Sequence, residues 1–290
     1  MPKPAADDAT AREIPPGVSR AMLHELHLLT RDGALNADAR RKLKQIRHLV
    51  GLIEPAVRDV LDRQPSPIIV DCGAGKSYLG FLLYEMLLAS AGRGELIAIE
   101  HRAELTAAAA ARAARFGYDR LRFLATSIGE SEHAATGAGL PERVHLVTAL
   151  HACDTATDDA IALGVRRQAD HIVVVPCCQA EVARQLGAAG RRDSGASAEL
   201  YRHAWHRREF GSHLTNVVRA LALEAAGYQV TVTELTGWEH SMKNEVILGR
   251  RVHRDNRQAR ARLDAVLAEF AIEPAVIRHL RSVAAPTETT

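Results

Sequence analysis

The sequence has little cysteine, no long apolar run and almost no net charge, and each shortage removes a class of protein. Four cysteines among 290 residues do not make the disulfide framework that staples small secreted domains, so reduced thiols are expected. No apolar stretch is long enough to span a bilayer, which calls for ~20 residues. The opening segment MPKPAADDATAREIPPG carries acids and prolines where a secretory leader would be apolar. A cytoplasmic protein without a membrane partner, and with a flexible N-terminus over residues 1–16, is therefore expected. A formal net charge of +2 identifies no partner, leaving any nucleic-acid reading to local clusters. Internal repeats and low-complexity linkers are absent.

With 47% hydrophobic and 25% charged residues, the chain can bury one large core with appendages. Apolar periodicity predicts a helix over residues 18–29 and a second after Asn36, broken at Pro55. From Pro67 the period changes. Short β-branched runs at 68–70, 95–100, 121–125, 144–150 and 172–175 alternate with Ala- and Leu-rich helical stretches, which implies a parallel sheet covered on both faces. A helix over 214–226 is followed by strands at 228–235 and 244–250 with no helix between them, and 256–283 is again helical. The predicted fold is α/β and Rossmann-like: a seven-stranded, mostly parallel sheet with an antiparallel last strand. A helical cap occupies 17–64, the sheet domain 65–252 and a helical tail 253–290. The cap is expected to cover the cofactor or acceptor site.

The first strand ends in Asp71-Cys72-Gly73-Ala74-Gly75-Lys76-Ser77. A P-loop would need glycine where Asp71 stands, and a carboxylate there repels a triphosphate. The dinucleotide fingerprint would need a small residue where Tyr78 stands. What is left is an acid at a strand end and a Gly-x-Gly turn that lets a ligand approach the backbone. That suits S-adenosylmethionine, which carries an ammonium group and no phosphate; a plain β-to-α turn is the alternative. Glu100, ending the second strand, stands where an acid binds a ribose diol, or else it is a surface acid at a helix start. Thr126-Ser127-Ile128 after the third strand is placed to flank an adenine, with Ser127 the candidate contact, or to cap a helix.

The least ordinary text follows strands four and five: His151, Cys153 and Asp154, then Cys177, Cys178 and Gln179. With Cys72 after strand one, all four cysteines are expected at the active edge. Three readings stay open. A metal site would use His151, Cys153, the Cys177-Cys178 pair and His240, yet no Cys-x-x-Cys spacing exists. Cys177 or Cys178 could be a nucleophile on C6 of a pyrimidine, as in cytosine-C5 methylation, PCCQ being similar to the Pro-Cys-Gln of DNA cytosine methyltransferases. In the leading reading no metal is held and the cysteines line a pocket, while His151 or Asp154 orients the acceptor or takes its proton.

Together VDCGAGKSYLG, LHACDTATDDAI and IVVVPCCQ resemble the methyltransferase-like family that includes the domain of the glutathione S-transferase C-terminal domain-containing protein. More distantly they are similar to the eukaryotic tRNA 2′-O-methyltransferases acting on the acceptor stem. The resemblance covers about residues 42–250. It implies a class I methyltransferase fold that binds S-adenosylmethionine through Asp71, Gly73, Gly75 and Glu100, with His151 a further candidate cofactor contact. Ser77 replaces a third glycine, Gln179 replaces the histidine of the tRNA enzymes, whose zinc-binding clusters are missing, and no Asn-Pro-Pro-Tyr segment is present.

Three basic clusters, at 40–48, 202–210 and 250–262, favour an RNA acceptor (tRNA or rRNA), and Trp205 among arginines suits stacking on an exposed base. Solvated helix faces are the alternative, with a protein or small-molecule acceptor. Between the last two strands lie Trp238, Glu239, His240, Lys243 and Asn244; Glu239, His240 and Gln179 are candidates for the acceptor pocket, unless the loop is only a capped turn. The expected reaction is direct transfer of a methyl group to oxygen or nitrogen. A non-catalytic cofactor-binding protein is the competing expectation. An oxidoreductase is disfavoured by Tyr78 and the antiparallel last strand.

Overall fold

The structure is a computed structural model that describes residues 14–132, 139–177, 179–189, 196–235 and 245–284. Two compact units divide the chain: the first over Met1–Pro141 with Leu235–Met242, the second over Glu142–Glu234 with Lys243–Thr290. The strands run in the order β3 (Leu121–Leu124), β2 (Glu95–Ile99), β1 (Ile68–Cys72), β4 (Leu146–Cys153), β5 (His171–Cys177), β7 (Glu245–Arg251), β6 (Tyr228–Glu234), with β7 antiparallel to both its neighbours. A seven-stranded, mostly parallel sheet with an antiparallel last strand is the Rossmann-like fold expected from the sequence.

In the first unit, α1 (Arg20–Glu25) and α2 (Ala37–Arg63) precede β1 (Ile68–Cys72), α3 (Tyr78–Leu83), β2 (Glu95–Ile99), α4 (Ala103–Phe116) and β3 (Leu121–Leu124). Helix α3 continues through a π-helical stretch, Tyr84–Leu88, and a last turn, Ala89–Ala91. Strands β1 and β2 are parallel, pairing Asp71 with Ala98 and Cys72 with Ile99. Their apolar residues are buried on both faces, as expected of a parallel sheet covered by helices. The predicted break at Pro55 does not occur, because α2 passes through it. Gly51, whose carbonyl the proline leaves without a donor, is exposed, so water satisfies it. The predicted helix over 18–29 is shorter, since His27 turns left-handed and the chain folds back to bury Leu26, Leu28 and Leu29. Glu85 anchors this segment, accepting hydrogen bonds from Ser19 N at 3.0 Å and Ser19 Oγ at 2.6 Å and one from the Tyr118 hydroxyl.

The second unit comprises β4 (Leu146–Cys153), α5 (Ala156–Arg166), β5 (His171–Cys177), α6 (Glu181–Ala189), α7 (Ala204–Ala225), β6 (Tyr228–Glu234), β7 (Glu245–Arg251), α8 (Arg257–Glu269) and α9 (Ala275–Ala284). Pro176 lies inside β5, beyond the segment that pairs with β7 and beside a register shift opposite β4, where its missing N–H costs no ladder bond. Helix α5 packs on β4 and β5, and α7 packs on α6, α8 and both final strands. The predicted single helical tail is two helices, parted by Ala271 in the left-handed region and by Pro274.

Candidate active site

The first unit supplies a cradle at the carboxyl ends of β1 and β2. Asp71 and Cys72 are buried where β1 ends. Gly73 and Gly75 then take φ values of +67° and +56°, the left-handed region that favours glycine. The Gly75 N–H donates to Glu100 Oε2 at 2.9 Å, so the turn and the end of β2 are tied through one carboxylate. Arg102 engages the same carboxylate three times, through its backbone N–H at 3.1 Å, Nε at 2.8 Å and Nη2 at 3.3 Å. Burial alone raises the Glu100 carboxyl, but the Arg102 side chain and the two backbone N–H groups outweigh it and hold the group below the usual carboxylate range.

Ser77 also takes a left-handed conformation, at φ +57°. Its hydroxyl is buried and makes no hydrogen bond. A Cβ on Gly80 would lie 2.5 Å from that oxygen, so the third small residue of the turn is Gly80, two residues beyond where the fingerprint places it. Ser127 engages Glu130 in a capping pair: its Oγ lies 2.7 Å from Glu130 Oε2, and Glu130 N donates back to that Oγ at 3.2 Å. The capping alternative thus describes its contacts here.

The second unit supplies a buried polar network beside the ends of β4 and β5. Asp154, at φ +49°, donates its N–H to the Cys177 carbonyl at 3.2 Å. Its carboxylate accepts the Ala180 N–H at 3.2 Å, and its carbonyl accepts Arg219 Nη2 at 2.8 Å. Arg219 forks onto Asp158 at 2.7 and 3.0 Å and reaches Asn216 Oδ1 at 3.3 Å. Burial pushes the Asp158 carboxyl up, and Arg219 opposes that without cancelling it. Gln179 spends both ends internally, donating to Asn216 at 3.0 Å and accepting from Ser212 Oγ at 3.0 Å. Asn216 in turn donates to Glu245 at 3.0 Å.

Among the predicted site residues, Asp71, Gly73, Gly75 and Glu100 share the first cradle, while Asp154, Cys177 and Gln179 share the second unit's strand ends. His151 lies in β4, and Cys153 and Cys177 are register partners on β4 and β5. Cys178, Glu239 and His240 lie outside the described residues. Among the described residues no group of three or more His, Cys, Asp or Glu side chains is placed to hold a metal ion. Asp158, Asn216 and Arg219 were missed in the sequence. The signal was there: an arginine amid the apolar run NVVRALAL, where only a buried partner makes it affordable.

A family model described as a methyltransferase domain matches residues 41–185, half of the chain. The chain belongs to that family. It is an S-adenosylmethionine-dependent methyltransferase, and the first unit's cradle fits that cofactor: buried carboxylates suit an ammonium group and a diol, and positive-φ glycines let it reach the backbone. No curated protein matches in sequence. Among solved structures, the chain is similar to magnesium protoporphyrin IX methyltransferase from Synechocystis PCC 6803 with bound SAH (12% identity, TM-score 0.45, 81% of this chain and 95% of that one). It is also similar to an rRNA methylase from Streptococcus thermophilus (11%, 0.44, 70% and 95%) and to a Podospora anserina methyltransferase, SAH-bound (14%, 0.44, 87% and 98%). At these values the likenesses assign neither acceptor nor residue roles. No helix among the described residues is long and apolar enough to cross a membrane.

Proposed function

We propose that this methyltransferase acts on RNA, transferring the methyl group directly to an oxygen or nitrogen of a nucleotide. When bound, S-adenosylmethionine supplies an electrophilic methyl group on a sulfonium. Glu100 receives the ribose hydroxyls, and Asp71 attracts the cationic end of the cofactor. An acceptor that gives its lone pair to the methyl group becomes acidic, so a carboxylate can take its proton. Asp154 fills that role: its side chain is about one-third exposed, and its backbone is pinned by Arg219 and Cys177.

One face of α7 carries the RNA reading. Trp205, Arg208, Ser212, Asn216 and Arg219 follow at three- and four-residue spacing, so they share a helix face. The deeper three belong to the buried network beside Asp154 and Gln179. Roughly 10 Å further along the helix from Ser212, the same face presents Trp205, 60% exposed, with the Arg208 guanidinium 4.2 Å over its ring. An exposed indole under a cation offers a base a stacking platform. All three basic clusters are partly spent in internal pairs, Lys42 with Asp38, Arg262 with Glu224, Arg202 with Glu199 and Arg208 with Glu209, and what sets the second apart is the exposed indole.

The test is methyl transfer from labelled S-adenosylmethionine to total RNA, with protein extract and small metabolites as parallel arms. RNA is expected to be labelled, with Trp205→Ala raising KM about ten-fold and Asp154→Asn lowering kcat. Label in protein or small molecules alone would overturn the RNA assignment.

A further inference from the structure

The Glu100 carboxylate has no acceptor site to spare. Two carboxylate oxygens offer about four lone-pair positions, and four hydrogen bonds occupy them: from Gly75 N, Arg102 N, Arg102 Nε and Arg102 Nη2. The His101 Nδ1 is close as well, 3.1 Å from Oε1. The backbone N–H groups are fixed, one by the glycine turn and the other by the start of α4. The guanidinium differs, because the Arg102 side chain is 50% exposed whereas Glu100 is only 5% exposed. Its fork delivers one donor to each oxygen, Nε to Oε1 and Nη2 to Oε2. A vicinal diol donating one hydroxyl to each oxygen would make the same pattern.

We infer that the Arg102 guanidinium is a stand-in for the ribose diol of the cofactor, and that cofactor binding proceeds by displacing it. The inference rests on Glu100 receiving that diol. In this arrangement Arg102 keeps a buried carboxylate fully paired, which avoids the cost of a desolvated charge with unfilled acceptor positions. On binding, the hydroxyls take over the two positions and the guanidinium swings out to water, where it is easily solvated. Arg102 therefore lowers the cofactor's apparent affinity, because the measured binding energy is the difference between the two partners.

Calorimetric titration with S-adenosylmethionine tests this on wild type, Arg102→Ala, Arg102→Gln and Glu100→Gln. The Arg102 variants are expected to bind about three- to ten-fold more tightly, the scale of an ion pair with one exposed partner. Raising salt from 50 to 500 mM is expected to narrow the gap between wild type and Arg102→Ala, since salt weakens the competing pair in wild type alone and screens the Asp71 attraction equally in both. Unchanged or weaker binding by the folded Arg102 variants, with Glu100→Gln still weakened, would overturn the stand-in while sparing the diol assignment. Glu100→Gln binding as tightly as wild type would overturn the diol assignment itself and the inference with it.

Discussion

Arg219 forks onto Asp158 with both side chains 1% exposed, joining α7 to the first turn of α5 at the heart of the second unit. The pair also lies next to the candidate base, because the same guanidinium holds the Asp154 carbonyl. Breaking such a pair from one side leaves an uncompensated buried charge. Arg219→Met is expected to lower unfolding free energy by about 3–5 kcal/mol, read from urea midpoints. Arg219→Met combined with Asp158→Leu is expected to recover part of that loss, the rest staying with the orphaned Asn216 and the Asp154 carbonyl. A double variant less stable than the single one would show that the charge is not what destabilises.

Ser77 and Gly80 form a second coupled pair. Ser77→Gly removes a left-handed serine and a buried hydroxyl without a partner, and is expected to stabilise the protein by about 1–2 kcal/mol. Gly80→Ala alone is expected to destabilise, its Cβ falling 2.5 Å from Ser77 Oγ. In the Ser77→Gly background the next neighbour is Leu96 Cδ2 at 3.5 Å, an ordinary contact, so most of the penalty should vanish. Thermal denaturation of the four proteins in this double-mutant cycle measures the coupling.

Glu100 also sets an acid dependence. Its folded carboxyl is held below the usual range, so at acid pH the unfolded chain binds the proton more readily than the folded one. Its stabilising contribution is complete above the unfolded value and is lost as pH falls through the folded value. Glu100→Gln is accordingly expected to flatten the acid limb of a Tm profile between pH 7 and 3. A limb as steep as that of wild type would mean that other carboxylates carry the dependence.

Much of this architecture is legible in the sequence because strands buried on both faces read as continuous β-branched runs, as Ile172 to Val175 does. The strand-end positions of the glycine turn, Asp71 and Glu100 are legible for a related reason, since the β-branched runs show where each strand stops. Helix continuity was not legible at Pro55, where an exposed Gly51 removes the usual penalty. Nor were the first turns of α7, whose AWHRREF stretch has no simple apolar stripe because Phe210 packs against Tyr201 and Phe270. The polar network escaped notice because its members, Asp158, Gln179, Asn216 and Arg219, are distant in sequence and meet only through tertiary packing.

We propose that the Asp71–Gly75 turn and Glu100 together hold the cofactor. Calorimetric titration of the purified protein with S-adenosylmethionine, repeated with Asp71→Asn and Glu100→Gln, tests it most directly. Micromolar binding is expected, weakened at least about ten-fold by each substitution, the scale of losing one charge-assisted contact, while circular dichroism stays that of the wild type. Binding indifferent to both substitutions in folded protein would contradict it.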